Sequence, residues 1–254
     1  MARVLVLGAG YTGGRAAALL RAAGHTVVAT RRQGGDLAVA LPDTAPLLSL
    51  EGNDWRVLWS APRVDGIGVM AGKAARIVYL STTGVYGDAH IVDAATPASP
   101  MTERTRLRWE AENTVLRGPW SACVLRPAAI YGPGRGAHES IRAGRWRVAG
   151  DGSNYTSRIH VDDLAALAAA AVLGDLPGAW PVADDEPSTN AEITRFCCDL
   201  LGMPMPPSAE AAQLDETRRA DRRVDGGEVR RRLGITLRYP SYRIGVPAAL
   251  NAAS

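Results

Sequence analysis

Gly8, Gly10 and Gly13 follow the apolar run Arg3–Leu7 in RVLVLGAGYTGGRAA, at a GxGxxG spacing that opens a helical pattern. Residues of that type and spacing bind phosphate through the main chain. Gly8 permits a tight turn, and Gly10 puts no side chain between the backbone and a pyrophosphate. Gly13 lets the helix pack closely on the strand, so that its N-terminus faces the phosphates. Tyr11 and Thr12 fill the loop and join the candidate binding set. A dinucleotide is the ligand this context implies. The second apolar run, TVVATRR, ends in Arg31 and Arg32, where an NAD-binding strand presents an acid to the ribose hydroxyls. Two guanidiniums there suit a 2′-phosphate, so NADP(H) is expected in preference to NAD(H). Ser60, Ala61 and Pro62 end a further apolar run, and their small size lets backbone approach the adenosine ribose and pyrophosphate.

Thr82 stands just past another apolar run in RIVYLSTTGVYGD, residues 76–88. A hydroxyl at the carboxyl end of a central strand is placed to polarise a carbonyl. Asp162 and Asp163 suggest a carboxylate pair, but neighbours on a helix point about 100° apart. They fit a helix start better, where acids are favourable against the dipole. The cysteines Cys123, Cys197 and Cys198 and the histidines His25, His90, His138 and His160 show no ligand spacing, so no metal site and no disulfide framework are expected. Among 29 basic residues, only Lys73 is lysine, which restricts any catalytic lysine.

The elements that must position these residues are short apolar runs at Arg3–Leu7, Thr26–Thr30, Pro46–Leu50, Arg56–Ser60, Arg76–Leu80 and Ser121–Leu125. They show little alternation, as parallel strands covered on both faces do. Helical patterns at Thr12–Ala23 and Thr102–Arg117 separate the first and last pairs. The expected fold is α/β, a doubly wound parallel sheet of Rossmann type over residues 1–130, with ligand at the carboxyl ends of the strands. Residues 131–254 are expected to build a small C-terminal substrate lobe, with the alanine-rich helix Val161–Leu173 returning to the sheet. Further patterns mark a strand at Trp180–Val182 and a helix at Asn190–Leu201. The middle is lean: Gly52–Trp55 and Ala61–Ala75 are the only connections around the fourth run. A parallel crossover usually takes about 10–12 residues, so either the Pro46–Leu50 strand is misplaced or a crossover helix is lost.

The 254 residues suffice for a full core, and 46% hydrophobic with 22% charged residues is ordinary for a globular protein. A net charge of +3 does not argue for nucleic acid. The arginines at 218, 219, 222, 223 and 230–232 read as a solvated face or a ligand-phosphate contact. No apolar run approaches the ~18 residues of a membrane span, and no leader pattern precedes the first strand. A cytoplasmic protein acting on a small molecule, without nucleic acid or membrane, is expected.

The fingerprint, STTGVYG, LRPAAIYGP (125–133) and RIHVDDLA (158–165) occur in this order along the chain. In that order they resemble the extended short-chain dehydrogenase/reductases, which include NAD(P)-dependent epimerases, dehydratases and reductases. VADDEPST (182–189) and RRLGITLRYPSYRIG (231–245) resemble an atypical branch. The resemblance implies that Thr82 hydrogen-bonds the reacting oxygen and that Pro127 borders the nicotinamide pocket. It also implies a Tyr-x-x-x-Lys pair on the next helix, but Arg104 and Arg108 stand at those positions. Arginine can hold ribose or phosphate, so Arg108 keeps the binding half of the role, while arginine is a poor general acid. For proton transfer the candidates are Tyr86, Tyr131, His160 or a water, with Tyr86 preferred. Arg142, Arg145, Arg147, Arg218, Arg222 and Arg223 are candidates for binding an anionic substrate such as a nucleotide diphosphate. The Thr102–Arg117 helix is expected to be able to pair in a homodimer, as it does in the resembling family. The implied function is an NADP(H)-dependent oxidoreductase or epimerase-like activity on a small polar substrate. The alternative is a non-catalytic dinucleotide sensor or scaffold that has lost the Tyr/Lys pair.

Overall fold

The computed structural model describes residues 1–210, 213–214 and 216–252. Its strands β1 (Arg3–Leu7), β2 (Thr26–Arg31), β3 (Leu37–Ala38), β4 (Trp55–Trp59), β5 (Ala74–Leu80), β6 (Ser121–Pro127) and a returning strand, Gly178–Val182, form one sheet. All pair in parallel, in the order Gly178–Val182, β6, β5, β4, β1, β2, β3. The order reverses between β1 and β4, the switch point where an open α/β sheet leaves a crevice at its carboxyl edge.

Side chains alternate along each strand, so the sheet buries two faces. Val4 and Val6 face helices α1 (Gly13–Ala22) and α4 (Val161–Leu173), packing with Leu20, Leu164 and Leu167. Leu5 and Leu7 face the other layer, with Leu47, Trp59, Met70 and Val115 of helix α2 (Glu103–Leu116).

Pro46–Leu50, expected as a strand, is a 3-10 turn over Ala45–Ser49. Proline has no N–H for a ladder and pre-sets the backbone of a first helical turn, and this turn buries Leu47 while Leu48 is exposed. The strand between β2 and β4 is instead the two-residue β3, paired with the end of β2. The connection from β4 to β5 carries only the 3-10 turn Ile67–Met70. Short connections therefore replace α-helical crossovers in the middle of the sheet.

Helix α4 is held at its far end by two arginines from the sheet. Arg56 Nη1 donates to the carbonyls of Val172, Leu173 and Gly174 at 2.9, 3.0 and 2.9 Å, and Arg76 Nε to Ala171 at 2.8 Å. Positive groups satisfying the last carbonyls stabilise a helix C-terminus. The opposite end of α4, beginning after His160, is thereby held at the carboxyl edge of the sheet.

Beyond β6 the chain forms a second layer over that edge. Strands β7 (Ala129–Tyr131) and β8 (Arg158–His160) pair in parallel. Helices α3 (Ala137–Arg142), α5 (Asn190–Leu201) and α6 (Tyr242–Asn251) pack around Tyr131, Ile141, Ile193, Cys197 and Tyr242. The three cysteines are free and buried. Among the described residues, no helix is long and apolar enough to cross a membrane.

Candidate functional site

The loop between β1 and α1 has the geometry of a phosphate cradle. Gly8 adopts φ +91°, and its N–H donates to Thr30 Oγ1 at 3.1 Å. A Cβ on Gly13 would fall far inside contact distance of the Gly8 carbonyl oxygen, whereas a Cβ on Gly10 would meet nothing within 4 Å. Helix–strand packing therefore requires the third glycine, while the second faces open space where a ligand's phosphate would lie. The first turn of α1 holds no acidic residue, so nothing there opposes an anion. Thr12 is the buried residue preceding the helix. Tyr11 reaches outward: its hydroxyl donates to the Pro133 carbonyl at 3.1 Å, and Arg15 and Arg135 lie over its ring at 4.5 and 5.5 Å.

The end of β2 borders this cradle. A methyl group on Gly14 would lie 4.0 Å from Arg31 Nη2, so the Arg31 guanidinium sits beside the first turn of α1. Arg32 is exposed. Asp36, the next acid along the chain, is engaged elsewhere, accepting from the Ala29 N–H at 2.8 Å and pairing with Arg21. The Ser60–Pro62 corner closes the other side: a Cβ on Gly8 would be 3.1 Å from the Ala61 nitrogen.

Thr82 begins a 3-10 turn after β5, its Oγ1 accepting from the Gly84 N–H at 3.1 Å. It lines a cleft of about 600 Å³ together with Ser81, Arg104, Arg108 and Pro127. Arg108 Nη1 donates to the Tyr79 hydroxyl at 2.8 Å. A second cavity of about 710 Å³ adjoins it and shares Arg104, Ile130, Arg135 and Arg219. Arg158 and Arg218 add to that wall. The cleft is thus lined by guanidiniums, which suit a ligand carrying phosphate or carboxylate.

Beneath Thr82 lies a polar network that reading the sequence missed. Ser81 Oγ donates to Glu112, and Arg126 donates to the same carboxylate through Nε and Nη2, the latter at 2.7 Å. Arg126 also lies over the Tyr86 ring at 4.9 Å. Glu112 follows the core spacing of Val115 on α2, and Arg126 interrupts the apolar run of β6. Opposite charges in two apolar frames that must pack together were the available signal.

Tyr86 is 1% exposed and takes part in this network rather than in the cleft wall. Burial raises its pKa, with Arg126 working against the shift. Tyr131 lines the second cavity, and burial, reinforced by Asp184, raises its pKa as well. His160 is buried, accepts from the Asp162 N–H at 3.2 Å as the cap of α4, and is held by burial at a pKa of about 4. Asp162 instead bonds Arg15 at 3.0 Å, and Asp163 accepts from the backbone N–H groups of Arg238 and Tyr239 at 2.8 and 2.9 Å. The two carboxylates thus engage different partners.

The candidate substrate arginines divide. Arg218 lines the second cavity. Arg222, also on the cleft, is buried and spends its guanidinium on the carbonyls of Thr83, Gly87 and Ala89, so it holds the Thr82 loop. Arg142 pairs with Glu139, Arg147 bonds neighbouring carbonyls, and Arg223 lies over Tyr155. Those three and Arg145 are absent from both cavity walls.

No family model matches the chain. A 3-diazoavenalumate denitrifying reductase of Streptomyces sp. is 31% identical over 169 residues, which is 61% of this chain and 55% of that protein. Short-chain dehydrogenase/reductase family 42E member 1 of Bos taurus is 31% identical over 162 residues, 52% of this chain and 41% of that protein. The chain spans about half the length of these curated relatives. Among solved structures, a functionally unknown conserved protein from Silicibacter pomeroyi is 31% identical with a TM-score of 0.84, covering 100% of this chain and 99% of that one. A putative NAD-dependent epimerase/dehydratase from Methylobacillus flagellatus is 24% identical with a TM-score of 0.79, over 99% of this chain and 98% of that one. The human epimerase family protein SDR39U1, solved with NADPH, is 19% identical with a TM-score of 0.78, over 98% of this chain and 99% of that one. These two share the fold. The relatives identified by sequence include short-chain dehydrogenase/reductases, and in motif order and sheet the chain is similar to the extended members of that family.

Proposed function

We propose that the chain is an NADP(H)-dependent reductase or epimerase-like enzyme acting on a small polar substrate with an anionic group. The observation that carries the cofactor choice is Arg31 Nη2, 4.0 Å from a methyl group placed on Gly14, with Asp36 engaged by Ala29 and Arg21. A 2′-phosphate beside that turn would meet a guanidinium rather than a carboxylate. Gly8, Gly10, Tyr11, Thr12 and Gly13 would hold the pyrophosphate with Ser60, Ala61 and Pro62, and Arg108 and Pro127 would border the nicotinamide side. When bound, the dinucleotide supplies or accepts hydride at its nicotinamide ring.

Thr82 acts on the substrate oxygen. Its Oγ1 already accepts from the Gly84 N–H, so its own proton is the one available to donate to a reacting carbonyl. Arg108 adds fixed positive charge beside that oxygen and supplies no proton. Tyr86 is sealed below the loop and Tyr131 is buried with its pKa raised by that burial, so the proton comes from water rather than from either phenol. The guanidiniums of Arg135, Arg158 and Arg219 favour a phosphate- or carboxylate-bearing substrate over a neutral one. The Streptomyces relative named a reductase supports hydride transfer as the reaction type. We also propose pairing of two chains through α2, which leaves Leu107 58% and Trp109 40% exposed.

Calorimetric titration of ligand-stripped protein with NADP⁺, NADPH, NAD⁺ and NADH tests the reading. NADPH is expected to bind about tenfold more tightly than NADH, or ~1.4 kcal/mol. No binding of any of the four would overturn it. Tight binding without turnover on a library of anionic carbonyl compounds would make the chain a dinucleotide sensor.

A further inference from the structure

Tyr79 touches neither cavity, yet it connects two separate parts of the candidate site. It stands near the end of β5 and is fully buried. Its phenol O–H donates to the Pro62 carbonyl at 2.8 Å, at the corner after β4. The same oxygen accepts from Arg108 Nη1 at 2.8 Å, and that nitrogen also reaches the Leu80 carbonyl at 3.4 Å. Burial raises the phenol's pKa, with Arg108 opposing, so the hydroxyl keeps the proton it gives to Pro62.

The arrangement solves a problem specific to arginine. A guanidinium on a long flexible stem loses rotamer freedom when it is fixed, and its planar donors are useful only in a fixed plane. With Nη1 held by Tyr79 and Leu80, the remaining N–H groups of Arg108 are oriented in the cleft that Arg108 lines. We infer that Tyr79 is a positioning residue: its hydroxyl orients Arg108 towards the nicotinamide half of the dinucleotide. Through the Pro62 carbonyl it couples that orientation to the corner receiving the adenosine half. The inference rests on the reading that Arg108 holds the dinucleotide.

The experiment is a double-mutant cycle on NADPH affinity, measured by calorimetry on the full chain, with thermal unfolding recorded for each variant. Tyr79→Phe is expected to weaken NADPH about five- to tenfold, the net effect of one hydrogen bond. In the Arg108→Ala background the same change is expected to cost less than about twofold, because the group it acts through is gone. Equal weakening in both backgrounds, or none in the unmutated one, would overturn the positioning role. If Arg108→Ala itself leaves NADPH affinity unchanged, the reading of Arg108 falls and the inference with it. A loss on Arg108→Ala without one on Tyr79→Phe removes the positioning role alone. Arg108→Lys leaves Tyr79 and the core intact should Tyr79→Phe fold poorly. An ammonium puts its three donors on one nitrogen and lacks the planar fork that lets Nη1 meet Tyr79 while the other nitrogens face the cleft, so this variant is expected to bind NADPH several-fold more weakly. Affinity equal to the parent's would overturn the inference.

Discussion

Arg126 donates to Glu112 through two nitrogens, with Nη2 at 2.7 Å from Oε2, and both side chains are buried beneath the turn that begins at Thr82. Ser81 donates to the same carboxylate, so the pair fixes the residue next to Thr82. Removing one partner of a buried ion pair leaves an uncompensated charge, at a cost of about 3–5 kcal/mol. Glu112→Ala is therefore expected to unfold at much lower denaturant than the parent, while the double replacement of Glu112 and Arg126 by leucine and methionine recovers much of the loss. Urea unfolding of the three proteins checks this. Equal stability of Glu112→Ala and the parent would show that the pair does not hold the turn.

Arg31→Ala is expected to abolish the preference between the two dinucleotides. NADPH should weaken about tenfold while NADH changes little, because the guanidinium meets only the 2′-phosphate. Competitive titration of both cofactors against the variant checks it, and an unchanged ratio would reassign Arg31 to solvent.

Thr82→Val removes the one proton directed at a reacting oxygen while keeping the shape of the side chain. Turnover is expected to fall about a hundredfold, the effect of losing one such donor, with NADPH affinity preserved. Steady-state kinetics beside a binding titration separate the two. A matching loss of cofactor affinity would mean that Thr82 acts in binding instead.

Gly13→Ala tests the cradle without touching any ligand group. The added methyl would clash with the Gly8 carbonyl, so α1 must shift, and overpacking of this kind costs about 1–3 kcal/mol. A lower melting temperature and lost dinucleotide affinity are expected together. Gly10→Ala meets open space and is expected to lose affinity while melting close to the parent.

His160 makes stability depend on pH in a defined direction. Its folded pKa of about 4 lies below the ordinary 6.5, because burial disfavours the charged ring. Between those values the unfolded chain takes up a proton that the folded one does not. Stability therefore falls as pH drops from about 6.5 towards about 4, by at most about 1.4 kcal/mol per pH unit from this residue. Above that window this contribution is constant. His160→Asn keeps an acceptor for the Asp162 N–H and is expected to flatten the dependence, as chemical denaturation at pH 4.5, 5.5 and 7 would reveal. An identical slope in the variant would assign the effect to other groups.

The glycine loop was legible because its chemistry is local. Gly8, Gly10 and Gly13 act on backbone within six residues of one another, and β1 and α1 flank them directly in sequence. The same holds for β2, read to Thr30 and ending one residue later at Arg31, and for α4 and α5, whose limits follow from apolar spacing. Pro46–Leu50 misled because a short apolar run does not distinguish a strand from a turn; Pro46 and the lack of a strand partner decided it. The sequence alone therefore determined a Rossmann-type sheet and a tight glycine turn between β1 and α1, and it puts Arg104 and Arg108 where the family resemblance implies a tyrosine and a lysine.

Tertiary structure decided what surrounds them. Tyr79 meets Arg108 across 29 residues and Pro62 across 17, and Arg222 reaches the Thr83 carbonyl across 139. Glu112 and Arg126 become a pair only when α2 packs on β6, and Tyr86 leaves the cleft because Arg126 takes its ring. Spacing along a chain fixes which backbone turns and which faces are apolar. The partner of a buried polar group depends on how separate elements stack, because a charge withdrawn from water must find its counterpart wherever packing brings one.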